Sequence, residues 1–410
     1  MGLVTALRGI SLCATDQPLK GEFMAQIWED RHALAFEVFV PWIEKVRSLQ
    51  GASVLEFGSG MGAAATAWAR AGANVTGVDI DSPDTDEAIS RAERLGLTNV
   101  EFVNGEFEYI KGLVASKAKT IDVFMLYAVL EHMTPEERLS TLELARDTIA
   151  PGGIIVVAES PNRHLWLDEH TATIPFFDQL PDAYAKRLAG TVPRQDIADN
   201  LREAFKHSPE HGSLTRSRLG RGIGHQEFEY VFGALGPITM HCNWEPEIML
   251  RSQGVTREQI ALSRFMARNC PSLPPSFSRY YLDFILKPDG GRAYPYVRPL
   301  PLKTEGSRDA FYTEYEMINV LPGGSLVIDT PEAAGALVVG ITVHPSMTDH
   351  GVRMNVVSGD SLTMHETRKF DPGTPSWVVF EEIDVVPGSQ RVMLDPSDFL
   401  EVSFIGYRPS

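Results

Sequence analysis

Between residues 53 and 160, short apolar runs alternate with helix-like segments, and this alternation limits the fold more than any other feature of the chain. GASVLEF runs through GSGMG into the helix-like AAATAWARAGA. NVTGVDID, NVEFVNG, TIDVFMLYAVL and IIVVAES then recur as strand candidates. The segments DTDEAISRAERLG and 135–149 between them carry helical patterns, the second stopped by Pro151-Gly152-Gly153. Strands that alternate with helices form βαβ units and a parallel sheet. Runs this rich in Val, Ile and Leu suit strands covered on both faces. The spacing therefore predicts an α/β fold, a doubly wound and mainly parallel sheet. The segment RYYLDFILKP (279–288) adds a late strand to it.

The flanks divide differently. Residues 1–50 form a helical segment: Phe23, Ile27, Leu34, Val38, Trp42 and Val46 mark one face from 22 to 49, and Pro41 kinks or splits it. Residues 51–287 form the α/β domain, with an acceptor-covering insertion at about 161–273 that mixes helical and loop signals. Residues 288–307, dense in Pro and Gly, are a linker. Residues 308–410 hold SLVIDT, GALVVGITV, VRMNVV, WVVFEEIDVV, RVMLD and FLEVSFIGY, the pattern of an all-β sandwich or jelly-roll-like accessory domain. No catalytic constellation stands out there: His344, His350 and His365 fall in different segments, and Phe311, Tyr312, Tyr315, Trp377 and Phe380 suit core packing or stacking on a ligand.

The chain has 410 residues, 43% hydrophobic and 22% charged, so wholesale disorder is excluded. A formal charge of −17 argues against a nucleic-acid partner. Cys13, Cys242 and Cys270 make no C-x-x-C pair and no disulfide framework, which points to a reducing, cytoplasmic setting. Near the start, Arg8 interrupts the apolar stretch, and Ala6 stands where a myristoylation signal beginning at Gly2 wants Ser or Thr. No run of eighteen apolar residues is present, so no membrane partner is expected. The Asn74-Val75-Thr76 sequon falls inside a strand candidate and is read as chance.

The sharpest chemical signal is Val54-Leu55-Glu56-Phe57-Gly58-Ser59-Gly60-Met61-Gly62. A strand ends, the chain bends through three glycines, and a helix begins at the carboxyl edge of the sheet. Glycines there let backbone approach a ligand closely. Asp79 ends the next strand, 21 residues after Gly58, where a carboxylate can accept from both hydroxyls of a ribose. Asn104-Gly105-Glu106-Phe107-Glu108 follows the third strand, where an adenine could rest, and Tyr127-Ala128-Val129-Leu130-Glu131-His132 closes the fourth. With Ala63, the glycines also satisfy the dinucleotide pattern, and an oxidoreductase would use an acid like Asp79 as well.

The order of these elements, together with Leu130-Glu131-His132, Pro151-Gly152-Gly153 and YYLDFILKP, resembles the class I S-adenosylmethionine-dependent methyltransferases over about a quarter of the chain. The resemblance implies a Rossmann-like domain with S-adenosylmethionine as cofactor. It places Glu56, Gly58, Ser59, Gly60 and Gly62 along the methionine and ribose, and Asp79 and Ile80 at the ribose. Gly105, Glu106 and Phe107 go to the adenine side, with Tyr127 and Ala128 beside the cofactor. Two positions depart from the family pattern: Glu106 stands where Asp is usual, and Ser59 where Cys is frequent.

The acceptor pocket is expected after the fifth strand, in Glu159-Ser160-Pro161-Asn162-Arg163-His164-Leu165-Trp166-Leu167-Asp168-Glu169-His170, followed by Phe176, because ligands bind outside that edge. Arg163, Trp166 and Phe176 there, with Arg221 and His225 from GRGIGHQEFE, are the substrate-binding candidates; packing, capping and a lid hinge are the competing readings. His170, oriented by Asp168, and His132 are the catalytic candidates. Asp168, His170 and Glu159 offer oxygen and nitrogen ligands, but nothing fixes their geometry and no metal is assigned. The expected reaction moves a methyl group to a hydroxyl or carboxyl oxygen of a small-molecule, glycan or secondary-metabolite acceptor, in a possible homodimer. A modified-peptide carboxylate, a cofactor-binding module without turnover, and a nicotinamide or flavin oxidoreductase are the alternatives. The fourth strand lacks the Asp-Pro-Pro-Tyr type of motif that base methylation would use.

Overall fold

The protein is described by a computed structural model, which covers residues 17–245, 248, 255–290, 297–300, 307–312, 318–329, 335–342, 350–358, 361–370, 379–385, 391–396 and 400–409. Gly2, Ala6, Arg8, Cys13, Tyr315, His344, Trp377 and most of the 288–307 segment lie outside the described residues. Contacts gather into two units, Met1–His241 with Arg279–Ala293, and Cys242–Ser278 with Tyr294–Ser410. The segment 242–278, which composition alone leaves with the first domain, thus makes its contacts in the second unit.

The first unit is built on β1 (Ser53–Phe57), β2 (Asn74–Asp79), β3 (Val100–Asn104), β4 (Ile121–Tyr127), β5 (Ile149–Pro161), β6 (Thr239–Cys242) and β7 (Tyr281–Leu286). Their order is β3-β2-β1-β4-β5-β7-β6. The pairs from β3 to β5 are parallel, and β7 runs antiparallel to β5. Val54, Leu55, Val123, Phe124, Ile155 and Val156 are buried, as strands covered on both faces require. An antiparallel strand between the fifth and sixth sets this sheet apart from the 3-2-1-4-5-6 dinucleotide order. Pro151-Gly152-Gly153 was expected to precede β5; instead it lies within that strand, where the β4 pairing shifts register between Ile121 and Val123.

Helices α3 (Ala63–Arg70), α4 (Ser82–Arg94), α5 (Phe107–Ala115) and α6 (Pro135–Thr148) make the crossovers. Two of them, α4 and α6, start on a side-chain cap. The Asp81 carboxylate accepts from the Asp84 amide, and Thr134 and Glu137 form a reciprocal capping box. Ahead of the sheet, α1 (Gln17–Leu34) and α2 (Val40–Glu44) are joined by a π-helical turn over Ala35–Phe39. Pro41 lies in the first turn of α2, where its missing N–H and its ring disturb the preceding ladder. The buried stripe runs through Trp28, His32, Ala35, Phe39 and Trp42, whereas the sequence period placed Ile27, Leu34 and Val38 on it.

After β5 come α7 (Asp182–Leu188), α8 (Gln195–His207), α9 (Pro209–Arg218) and α10 (His225–Phe232). Ala172, Phe177, Ala185, Ile197, Leu201 and Phe205 form a separate small core beneath them. The second unit holds α11 (Arg257–Asn269) and strands β8 (Arg298–Pro299), β9 (Arg308–Tyr312), β10 (Ile318–Asp329), β11 (Gly335–Thr342), β12 (His350–Ser358), β13 (Ser361–Phe370), β14 (Val379–Val385), β15 (Arg391–Pro396) and β16 (Leu400–Pro409). All nine strands pair antiparallel. β10 changes partners along its length, pairing β9 and β16 near Ile318 and β15 from Leu326 onward. Among the described residues, no helix is long and apolar enough to cross a membrane.

Candidate functional site

The carboxyl edge of the parallel strands opens into a cavity of about 660 Å3 at the point where β1 separates β2 from β4. The glycine turn after β1 forms one wall. Gly58 and Gly60 have positive φ, and the Gly58 amide donates to the Val78 carbonyl at 2.8 Å. A Cβ on Gly58 would collide with Val129, so this turn excludes side chains physically as well as conformationally. From the tip of β2, Asp79 Oδ2 accepts from the Gly60 amide at 2.7 Å and Oδ1 from the Asp81 amide at 2.8 Å. The carboxylate is thereby fixed at the cavity wall between the glycine turn and α4.

Acids dominate the lining. Glu56, Asp79, Asp81, Asp84, Glu106 and Glu137 line it, against two cationic side chains, Arg31 and Arg218. Glu56 is buried and its Oε2 accepts from Trp68 Nε1 at 2.8 Å. Burial pushes its carboxyl up to about 8, against the Trp68 hydrogen bond and with a further push from Asp79. Asp84 is likewise raised, by burial and then by Asp81 and Asp79. A cavity of this sign favours a cation. Ala128, at the end of β4, adopts φ 50°, a costly conformation for a residue with a side chain, and its amide donates to Ala158 at 2.9 Å.

Residues 54–153 match the family described as "Methyltransferase domain". This stretch runs from β1 through the glycine turn to the start of β5. It is a class I S-adenosylmethionine-dependent methyltransferase domain. Among curated relatives, a ubiquinone biosynthesis O-methyltransferase of Actinobacillus pleuropneumoniae serotype 7 is 33% identical over 113 residues, 27% of this chain and 47% of the relative. Its namesake in Cupriavidus pinatubonensis is 31% identical over 124 residues, 30% of this chain and 47% of that one. The chain thus spans about half the length of the curated relatives it matches. A solved structure of magnesium protoporphyrin IX methyltransferase from Synechocystis PCC 6803 is 15% identical, covering 64% of this chain and 85% of that one, with a TM-score of 0.35.

The methyltransferase domain's cofactor is S-adenosylmethionine, and the residues present fit it. The glycine turn leaves room at Gly60, where a Cβ would meet nothing nearer than Asp84 Oδ2 at 3.9 Å. The fixed Asp79 carboxylate suits a ribose diol, and the acidic lining suits a sulfonium and an ammonium. Of the cofactor residues named from the sequence, Glu56, Gly58, Ser59, Gly60, Asp79, Ile80, Glu106, Phe107, Tyr127 and Ala128 line the cavity. Gly62 and Gly105 do not. A Cβ on Gly62 would meet Phe102 at 2.7 Å and Ala88 at 2.9 Å, so this glycine serves helix–strand packing. Gly105 is crowded by Tyr109 in the same way.

The acceptor-side expectations need correction. Asp168 does not orient the His170 ring. Its carboxylate is consumed by backbone, accepting from His170 at 3.1 Å, Thr171 at 2.8 Å and Ala172 at 2.5 Å. The reason lies in the spacing: an Asp followed by a tight turn bonds its own next residues. Burial, then the charges of His132 and Arg194, lowers the His170 ring to about 4, so it is held neutral. His170 does not line the cavity, whereas His132 does. Arg163 and Arg221 are also outside the lining. Arg163 pairs with Glu227 at 3.0 Å, and Arg221 donates to the Asp178 carbonyl at 3.3 Å. The His225 ring meets His164 at 3.1 Å. Trp166 and Phe176 are exposed neighbours that do not line the cavity.

Sequence reasoning missed the groups that close the cavity. Trp28 and Arg31 arrive on α1, with Trp28 Nε1 donating to the Met61 carbonyl at 2.9 Å. Arg218 arrives from the end of α9, donating to the His132 carbonyl at 2.9 Å and to Glu137 at 2.6 Å. The Trp28 and Arg31 positions were legible as helix, but the partners they meet, such as the Met61 carbonyl 33 positions on from Trp28, were not.

Proposed function

We propose that the protein transfers the methyl group of S-adenosylmethionine to an oxygen of a small acceptor. The observation that carries this reading is the fixed Asp79 carboxylate beside the glycine turn, in an acidic cavity of about 660 Å3. The relatives' O-methyltransferase names support oxygen as the target. When bound, the cofactor supplies an electrophilic methyl carbon. The protein's residues do the rest. Asp79 holds the ribose, Glu56 faces the cationic end, and Phe107 and Ile110 offer apolar surface to the base. The acceptor end is bounded by Trp28, Arg31, His132, Met133 and Arg218. Holding the acceptor oxygen against the methyl carbon there is worth several orders of magnitude in rate.

The acceptor is proposed to be a small molecule, glycan, secondary metabolite or modified peptide, with no nucleic acid or membrane partner, in the cytoplasm. Residues 308–410 are proposed as a sandwich-like accessory domain after a 288–307 linker, serving acceptor binding or a homodimer. The change of partners along β10 supports two packed ladders. Incubation with S-adenosylmethionine and an acceptor panel tests the reaction. Accumulation of S-adenosylhomocysteine with a methyl ether or ester supports it. Cofactor binding with no turnover across the panel favours a binding module instead.

A further inference from the structure

Beside the cavity, three metal-ligating side chains converge from two parts of the chain. Glu131 and His132 lie in the 3-10 turn after β4, and His170 lies in the loop after β5. One ligand atom from each falls within 4.8 Å of the other two. The tautomers are set by the surroundings. His132 Nδ1 lies 2.9 Å from the Arg218 carbonyl, which can only accept, so Nδ1 carries the proton. The Thr171 hydroxyl donates to the Gly220 carbonyl at 2.7 Å and therefore accepts from His170 Nδ1 at 3.0 Å. Both rings are thus anchored through Nδ1 and turn Nε2 outward from these anchors, the nitrogen through which such a histidine ligates metal. The third member is buried: Glu131 is 1% exposed, and its Oε2 has no hydrogen-bond partner among the described residues. Its Oε1 lies 3.9 Å from His132 Nε2, too far for a hydrogen bond.

A buried carboxylate oxygen without a donor is costly, and a cation repays that cost. We propose that Glu131, His132 and His170 bind one divalent first-row transition-metal ion at the edge of the cavity. Two imidazoles and one carboxylate suit manganese, iron, cobalt or zinc better than magnesium, which prefers an all-oxygen shell. The inference deepens the proposed function and rests on it for its role. His132 belongs to both the cluster and the cavity, so the ion would hold the acceptor oxygen. A hydroxyl held there loses its proton to solvent more readily, its oxygen forms the new bond to the methyl carbon, and the carbon–sulfur pair returns to sulfur.

The test uses the full chain, stripped of metal with a chelator and titrated with Co2+ while d–d absorption is recorded. The site predicts one saturable Co2+ per chain, displaced by Zn2+. His170→Ala and Glu131→Gln should each weaken binding by at least about tenfold, the smallest effect that losing even an outer partner of a ligand has. S-adenosylhomocysteine titration of the same samples checks that the variants are folded. No saturable Co2+ binding by the unsubstituted chain, or equal binding by folded variants, overturns the proposal. Co2+ binding by a chain that ignores S-adenosylhomocysteine leaves the metal site standing and removes the methyl-transfer reading.

Discussion

At the scale of single residues, two carboxylates carry the account. Asp79 is held by two backbone amides, so it is already positioned when a ribose arrives. Asp79→Ala should weaken S-adenosylhomocysteine binding by about 1.5–3 kcal/mol, roughly tenfold to a hundredfold, read by calorimetry. Glu56 makes a pH prediction. Its carboxyl stands at about 8 in the fold against 4.5 ordinarily. The folded state therefore binds a proton that the unfolded chain has released. Its stabilising contribution is complete below about pH 4.5 and is lost as pH rises through about 8. Glu56→Gln keeps an acceptor for Trp68 Nε1 and removes the titration. Melting temperatures recorded between about pH 5 and pH 8 should fall less steeply for that variant than for the natural chain. Parallel slopes would mean that Glu56 is ionised throughout.

At the scale of elements, the turn after β1 is where sequence and geometry agree most closely. Gly58 and Gly51 both have positive φ, at 77° and 73°, but a Cβ on Gly51 would meet nothing within 4 Å. Gly51→Ala should cost only the left-handed conformation, about 1–2 kcal/mol. Gly58→Ala should cost more, because Val129 must also move, and it should lower cofactor affinity as well. Equal losses in denaturant melts would show that Val129 yields freely. The turn was legible because three glycines between a strand and a helix have few other uses. The acceptor side was not. Asp168 and His170 sit two apart, a spacing that suggests a shared face, but the chain turns there and the carboxylate meets backbone instead. Likewise His132 and His170, 38 positions apart in sequence, have ring centroids 5.8 Å apart, a closeness no local pattern encodes.

At the scale of the whole molecule, the sheet could be read from its apolar runs, including a late strand near Tyr281. What could not be read was the direction and neighbour of that strand, since β7 inserts antiparallel between β5 and β6. Nor could periodicity reveal which helices close the cavity, because long-range contacts such as those of buried Arg138 set their positions. Its guanidinium donates to the carbonyls of Leu130 at 2.8 Å and Arg221 at 2.6 Å, and pairs with Glu227 at 3.1 Å. It thereby ties the turn carrying Glu131 and His132 to the loop before α10. Arg138→Met should cost about 3–5 kcal/mol in chemical denaturation, since it strands buried acceptors. A loss below about 1 kcal/mol would mean that the loop is held by other contacts.

The central claim, an adenosyl sulfonium gripped by the glycine turn and Asp79, is tested most directly by paired calorimetric titrations of the full chain. One uses S-adenosylhomocysteine and the other a nicotinamide dinucleotide. The account predicts stoichiometric binding of the first, weakened by Asp79→Ala, and no binding of the second. Uptake of the dinucleotide by a chain that ignores S-adenosylhomocysteine would contradict it.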